Sequence, residues 1–161
     1  MEPVLPLTHP LTLFHVVLSL VAIATGLVVA AGLLAGSRVP RWTHAFLWTT
    51  VATTVTGFVF PFRGFTPAFG TGIVSVLVLV PTLYALYGRK LTGAWRKIFV
   101  AGAMISLYLN VFVLVAQTFL KVPAVHALAP TQAEPPFAIA QGVVLLVFVV
   151  LTIVAVRRAR Q

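Results

Sequence analysis

Residues 137–161 read FAIAQGVVLLVFVVLTIVAVRRARQ, an apolar run long enough for a membrane span and followed directly by a cluster of arginines. A helix needs about 20 apolar residues to cross the hydrocarbon core of a bilayer. Other apolar runs of this kind precede it, and the predicted spans cover residues 11–35, 42–60, 68–87, 98–120 and 137–156. The sequence therefore predicts an all-α integral membrane protein, with residues 1–161 forming one domain, a bundle of five transmembrane helices.

The Lys and Arg residues are divided unequally between the two sides of these spans. Of the 11 cations, those in the first and third connections and at the C-terminus are Arg38, Arg41, Arg89, Lys90, Arg96, Lys97, Arg157, Arg158 and Arg160. Only Arg63 and Lys121 belong to the other side. Short loops rich in Lys and Arg remain in the cytoplasm. We therefore expect the N-terminus outside the cell and the C-terminus in the cytoplasm.

The composition excludes a water-soluble domain. The chain is 60% hydrophobic and 8% charged, with a mean hydropathy of +1.09, whereas soluble domains carry about 25% charged residues. The formal charge of +9 does not indicate a nucleic-acid partner, because the cations flank apolar spans and form no continuous patch. Anionic lipid headgroups are their expected partners. The absence of cysteine excludes disulfides and thiolate metal sites.

The sequence carries none of the usual signatures of an enzyme. It contains no Asp, and its only acidic residues are Glu2 and Glu134, which excludes a pair of catalytic carboxylates within the membrane. Phosphate-binding, zinc-protease and serine-hydrolase motifs are also missing. The sequence thus favours a non-enzymatic protein, and we assign no catalytic residue.

The fourth predicted span has a polar face. Ser106, Asn110, Gln117 and Lys121 follow one another at intervals of four, seven and four residues, which places them on one side of a helix. Lipid contact would leave their amides without partners, so this face should point into the bundle. Together with Arg63, the residues Asn110, Gln117 and Lys121 are candidates for binding the headgroup of a lipid or quinone. The alternative is that they only join helices by hydrogen bonds.

The histidines suggest a second function. His15 and His44 belong near opposite sides of the membrane and cannot share one iron. His126 lies on the same side as His15, so the pair could serve as axial ligands of haem b in an electron carrier. We predict neither a metal site nor a bound cofactor, and keep haem as the alternative. A third possibility is a scaffold subunit of a larger membrane complex, whose partners would be other membrane chains.

Small and hydroxylated residues form stripes on the first two spans. The stripes consist of His15, Ser19, Ala22 and Gly26, and of Thr49, Thr53, Thr56 and Gly57. Residues of this kind let membrane helices approach closely, so both stripes predict packing faces. We also expect Glu134 to pair with Arg63 or Lys121 and so to join the two loops outside.

Two stretches resemble a group of small polytopic proteins of the bacterial inner membrane. They are TTVTGFVFPFRGFTPAFGTGIVS at residues 53–75 and SLYLNVFVLVAQTFLKVPAVHALAPTQAEPPFAIAQG at residues 106–142. The resemblance extends over residues 11–157 and implies the same location, with several crossings of that membrane. No activity is attached to the group, so the resemblance implies no catalytic or cofactor residue.

Overall fold

A computed structural model describes residues 9–60 and 67–159, and within these ranges it is helical without strands, with 85% helix. The helices are α1 (Pro10–Ala35), α2 (Pro40–Val59), α3 (Pro67–Leu83), α4 (Trp95–Lys121), α5 (Pro123–His126) and α6 (Pro135–Arg158). A π-helical turn, Tyr84–Gly88, extends α3. The all-α fold that the sequence predicts is therefore confirmed.

Proline and glycine set several helix boundaries. The helices α1, α2, α3, α5 and α6 all begin at a proline, whose fixed φ suits the first turn and whose missing N–H would be unpaired there in any case. At its other end, α1 stops at Gly36, which adopts a left-handed φ of 71°. The N–H of Ser37 then donates to the Gly32 carbonyl at 2.9 Å, which pairs one of the free carbonyls of the last turn.

Pro81 lies inside α3, where the sequence predicts a kink. Proline cannot donate to the preceding turn, and three residues later the helix widens into the π-helical turn. There the N–H of Arg89 donates to the Tyr84 carbonyl at 2.9 Å. The irregularity near Pro81 thus includes a change in hydrogen-bond spacing.

Helix α4 lies at the centre of the bundle. It packs against α1, α2, α3 and α6, while α1 also contacts α2 and α6, and α2 contacts α3. Within the described ranges α3 and α6 do not touch, so one side of α4 remains open between them. Helices α1 and α2 are antiparallel, since Gly26 meets Phe46 and His15 meets Thr56.

The apolar core occupies the half of the bundle near the Arg-rich loops. Its buried members are Val29, Ala30, Phe46, Leu47, Leu79, Ala85, Phe99, Val100, Ala103, Met104, Leu107 and Ala155. Gly26 allows a close approach of α1 to α2 and α4, because a Cβ at this position would lie 2.6 Å from Leu107 Cδ1 and 2.8 Å from Phe46 Cε2. We call this half, with the first and third connections and the end of α6, the basic end.

Four helices are long and apolar enough to cross a membrane: Pro10–Ala35, Ala68–Gly88, Trp95–Lys121 and Pro135–Arg158. Large apolar side chains cover their outer surfaces; Leu77 is 67% exposed and Leu146 66% exposed. Such a surface is suited to lipid and not to water. Helix α2 has 20 residues but carries six threonines, which lower its hydropathy. A multi-pass membrane protein is therefore supported by four of the five predicted spans.

We predict that Gly26→Val lowers the free energy of unfolding by about 1–3 kcal/mol, because it overpacks a site closed by two buried side chains. The matched control is Gly142→Val in α6, where nothing lies within 4 Å of an added Cβ, and we expect a change of about 0.5 kcal/mol or less there. Thermal unfolding in detergent, followed by tryptophan fluorescence, compares them. Equal losses in both variants would show that α1 does not pack closely at Gly26.

Candidate functional site

The interior of the bundle becomes polar in the half opposite the basic end. Beyond Phe46 and Leu107, the residues that continue the packed faces of α1, α2, α4 and α6 are mainly Thr12, His15, Ser19, Thr50, Thr53, Thr56, Asn110, Gln117 and Gln141. We call this set the polar interior. Hydrocarbon offers these groups no hydrogen bonds, so each must find its partner within the protein or in something bound to it.

His15 is held by α2. Its Nδ1 lies 2.8 Å from Thr56 Oγ1, and its ring packs edge-on against Phe60 at 5.3 Å. The Thr56 hydroxyl donates its single proton to the Ala52 carbonyl at 2.8 Å. When the Thr56 hydroxyl donates to its own helix, its oxygen is free to accept from an imidazole protonated on Nδ1; the other tautomer would accept the Thr56 proton instead.

Asn110 joins α4 to α2. Its Nδ2 donates to Thr50 Oγ1 at 3.2 Å, and Thr50 is buried at 2% exposure. This contact is an interhelical hydrogen bond of the kind that the sequence offers as the alternative to ligand binding. Such interhelical hydrogen bonds contribute about 0.6 kcal/mol on average.

Gln117 differs, because its Oε1 is buried without a hydrogen-bond partner. Within the described ranges the same holds for the hydroxyls of Thr12, Thr53 and Ser106 and for Gln141 Oε1. An unpaired buried polar group costs about 1–3 kcal/mol. Four of these five atoms belong to the polar interior, which therefore holds several buried polar groups that have no partner within the described residues.

The helix register brings Gln117 to the depth of His15. Phe46 of α2 and Leu107 of α4 both lie beside Gly26, and farther along, Asn110 of α4 donates to Thr50 of α2. Because the residue numbers rise together along both helices, α2 and α4 run in the same direction. Seven residues beyond Asn110, about two helical turns, Gln117 reaches the level of Gly57. A Cβ at Gly57 would contact the His15 ring at 3.6 Å.

Lys121, the charged candidate among the described residues, lies apart from this interior. Lys121 is exposed at the last residue of α4, one turn beyond Gln117. Arg63 falls outside the described residues. Among the described residues no ion pair joins Lys121 to Glu134. The other expected partner of Glu134, Arg63, is not one of these residues, so that pair stays a prediction.

Glu134 instead closes its own turn. Its carboxylate accepts from Thr131 Oγ1 at 2.9 Å, from the Thr131 N–H at 3.2 Å and from the Ala133 N–H at 3.1 Å. Desolvation acts to raise the pKa of Glu134, but these hydrogen bonds together lower it below its ordinary value. Glu134 is therefore a carboxylate whose acceptor sites are used locally, at the start of α6.

The two imidazoles of the haem alternative have different partners. His126 Nδ1 lies 3.0 Å from the Phe119 carbonyl at the end of α4, whereas His15 is bound to α2. Neither a hydrogen bond nor a ring contact joins them among the described residues. In the same part of the chain no three His, Asp or Glu side chains gather into a metal-binding group.

The sequence indicated some of the polar interior and missed the rest. Thr53 and Thr56 belong to a predicted packing stripe, whereas Thr12 and Gln141 belong to none of the predicted faces. Gln141 reaches the interior from α6, where its Nε2 donates to the Phe112 carbonyl at 3.1 Å. A polar residue within an otherwise apolar span is the signal that marks Gln141.

Comparisons with known proteins give this chain no relatives: no protein family, curated protein or solved structure matches it.

We predict that Thr50 and Asn110 are coupled in stability. A double-mutant cycle of Thr50→Val and Asn110→Leu should give a coupling of about 0.6–1.7 kcal/mol, the range found for interhelical bonds in membranes. Thr49→Val is the control partner, because the Thr49 hydroxyl donates to the Ala45 carbonyl of its own helix at 2.7 Å. Unfolding in detergent measures both cycles, and an equal coupling with Thr49 would contradict the contact.

Proposed function

We propose that this chain is a protein of the bacterial inner membrane that crosses it five times, with the N-terminus outside and the C-terminus in the cytoplasm. The excess of cations at one end supports this orientation. The fifth crossing would be α2. Arg38 precedes α2 and Lys90 follows α3, and both line one hollow at the basic end. If these two loops lie on the same side of the membrane, the chain between them crosses the membrane either twice or not at all.

We further propose that the protein is not an enzyme and that its polar interior holds the headgroup of a lipid or quinone. The observation that carries this proposal is the unpaired, buried Gln117 Oε1. It lies at the depth of His15, in a half of the bundle where Thr12 and Thr53 also lack partners. A quinone or lipid headgroup combines hydrogen-bonding oxygens with an apolar tail, so it would serve these groups while its tail remains in the bilayer.

Each residue would have a separate part in this site. Gln117 Oε1 would accept from a ligand hydroxyl, while the hydroxyl of Thr53 would donate to a ligand carbonyl. Asn110 would keep α2 and α4 together below the ligand through Thr50. Lys121, with Arg63 as proposed from the sequence, would attract an anionic group at the surface.

Two other functions remain as alternatives. A b-type haem carrier would use His15 and His126, whose Nδ1 atoms are each engaged with an oxygen. Such contacts orient histidine ligands, but the two rings would have to be brought together. A scaffold subunit would instead use its exposed apolar surfaces to contact other membrane chains.

We predict that single cysteines report five crossings. A membrane-impermeant maleimide added to intact cells should label a cysteine at Thr131, but should label those at Ser37 and Thr92 only after permeabilisation. The chain contains no other cysteine to interfere. If α2 did not cross, Ser37 and Thr92 would lie on opposite sides. If the cysteine at position 92 were labelled in intact cells and the cysteine at position 37 were not, the proposal would be contradicted.

We predict that a lipid or quinone copurifies with the wild-type protein and is lost from the Asn110→Leu, Gln117→Leu double variant. Mass spectrometry after mild purification measures the retained molecules. Gln132→Leu is the control, because Gln132 Nε2 already donates to the Ala116 carbonyl at 2.7 Å. This variant should leave the retention of the lipid or quinone unchanged. Lys121→Ala should weaken the retention of an anionic ligand, as added salt would.

The same preparations distinguish the alternatives. Identical lipids and quinones in the wild type and the double variant would exclude the headgroup site and favour the scaffold. A Soret band at one haem per chain that disappears in His15→Ala would favour the electron carrier.

A further inference from the structure

A second site lies at the basic end, away from the polar interior. A cavity of about 620 Å³ opens between the α1–α2 connection, the residues after the π-helical turn, the start of α4 and the end of α6. Binding pockets for small ligands typically measure about 300–1,000 Å³. Its volume is therefore sufficient for a polar headgroup together with part of an apolar chain.

The floor of this cavity is apolar. It is formed chiefly by Leu33, Val39, Leu86, Phe99, Val100 and Ala155. Phe99, Val100 and Ala155 also belong to the buried core, so the floor is continuous with the rigid part of the bundle. An apolar floor favours a ligand with a hydrocarbon portion.

The rim carries arginines from three separate elements. Arg38 comes from the α1–α2 connection, Arg96 from the first turn of α4 and Arg158 from the last turn of α6. An adjoining hollow of about 580 Å³ shares Arg38 and Arg96 and adds Lys90 and Lys97. Arg158 Nη1 also donates to the Leu34 carbonyl at the end of α1, which fixes this guanidinium at the rim.

Within the described residues, no acidic side chain lies at this rim. The only acidic residues of the chain are Glu2 and Glu134. Glu134 lies at the start of α6, at the opposite end from Arg158, and Glu2 precedes the described residues. Cations without carboxylate partners repel one another, so an anion from outside the chain would lower the energy of this arrangement.

The aromatic residues nearby place the cavity at the depth of lipid headgroups. Tyr84 and Trp95 pack edge-on with their ring centres 5.0 Å apart, and Arg89 lies over the Trp95 ring at 5.7 Å. Tyr and Trp concentrate where a membrane meets water. Basic pockets between membrane helices at this depth suit the phosphate groups of anionic lipids.

We propose that the cavity rimmed by Arg38, Arg96 and Arg158 binds an anionic phospholipid. The guanidinium groups hold its phosphate by charge-assisted hydrogen bonds, for which arginine has the matching planar geometry. The apolar floor takes the upper part of an acyl chain. This site is separate from the polar interior, because it lies at the other end of the bundle and shares no residue with it.

The test uses two double variants that remove the same charge from the same end. Arg38→Gln with Arg158→Gln alters the rim, whereas Arg41→Gln with Arg157→Gln alters cations that do not line the cavity. Native mass spectrometry of the full chain in detergent measures the binding of phosphatidylglycerol, with phosphatidylcholine as the zwitterionic probe. Arg96→Gln is a third variant that leaves the contact between Arg158 and Leu34 in place.

We expect the wild type to bind phosphatidylglycerol in preference to phosphatidylcholine. The rim variant should bind it about a hundredfold more weakly, and Arg96→Gln about tenfold more weakly, since each lost charged contact is worth roughly a factor of ten. The control variant should remain within about twofold of the wild type, as surface charges away from a contact contribute little. The melting temperature of each variant without added lipid shows whether the rim variant has lost its fold. If it has, the binding of phosphatidylglycerol by Arg96→Gln decides whether the rim arginines bind the lipid.

Several results would overturn the proposal. Equal losses in the rim and control variants would mean that the cations act only as a diffuse surface charge. Equal binding of the two lipids would exclude recognition of the anionic headgroup. Displacement of bound phosphatidylglycerol by millimolar inorganic phosphate would identify a site for a soluble anion in place of a lipid.

Discussion

Hydrocarbon neither donates nor accepts hydrogen bonds, and this constraint bears on every polar group of the described apolar helices. The backbone meets it by forming helices throughout the apolar segments. The hydroxyls of Ser19, Thr25, Thr49, Thr54 and Ser75 meet it by donating to the carbonyl four residues earlier in their own helix. Amides are larger and cannot be satisfied in this way, so Asn110, Gln117 and Gln141 must turn toward other helices. The polar interior forms where these amides meet.

The bundle consequently has two dissimilar halves. Near the basic end, Gly26 lets α1 approach Phe46 and Leu107, and the apolar core is continuous. Toward the other end the same faces carry threonine, histidine and amide side chains, several of them unpaired. Close packing without voids gives stability, whereas an interior with unpaired polar groups is costly unless something binds there. The division therefore separates a half with a continuous apolar core from a half whose interior holds several unpaired polar groups.

The sequence predicts the helices far better than it predicts their contacts. Runs of apolar residues and the prolines at Pro10, Pro40 and Pro135 depend on local chemistry, and the corresponding helices lie where the pattern places them. The polar face of α4 was also visible, because its spacing follows from helix geometry alone. The hydrogen-bond partner of Glu134 is not predictable in this way, since its carboxylate accepts from Thr131 within its own turn. The arginine-rimmed cavity was invisible for a similar reason: Arg38, Arg96 and Arg158 are distant in sequence, and only the packing of three helix ends brings them together.

Helix α2 shows how packing can offset a composition whose mean hydropathy is too low for α2 to count as a membrane span on that criterion alone. Its threonines lower its apolarity, yet Thr49, Thr54 and Thr56 bond within the helix and so present methyl groups to their surroundings. Its exposed side chains are apolar along most of its length; Trp48 is 57% exposed and Val59 61% exposed. The remaining sides contact α1, α3 and α4. Beyond the exposed Arg41 and His44 near its start, only the Thr53 hydroxyl of α2 is buried without a partner, so most of this helix presents no group that needs water. This pattern of internal hydrogen bonds and apolar surface supports the proposed crossing of α2. It depends partly on contacts with neighbouring helices, which the hydropathy of α2 by itself does not include.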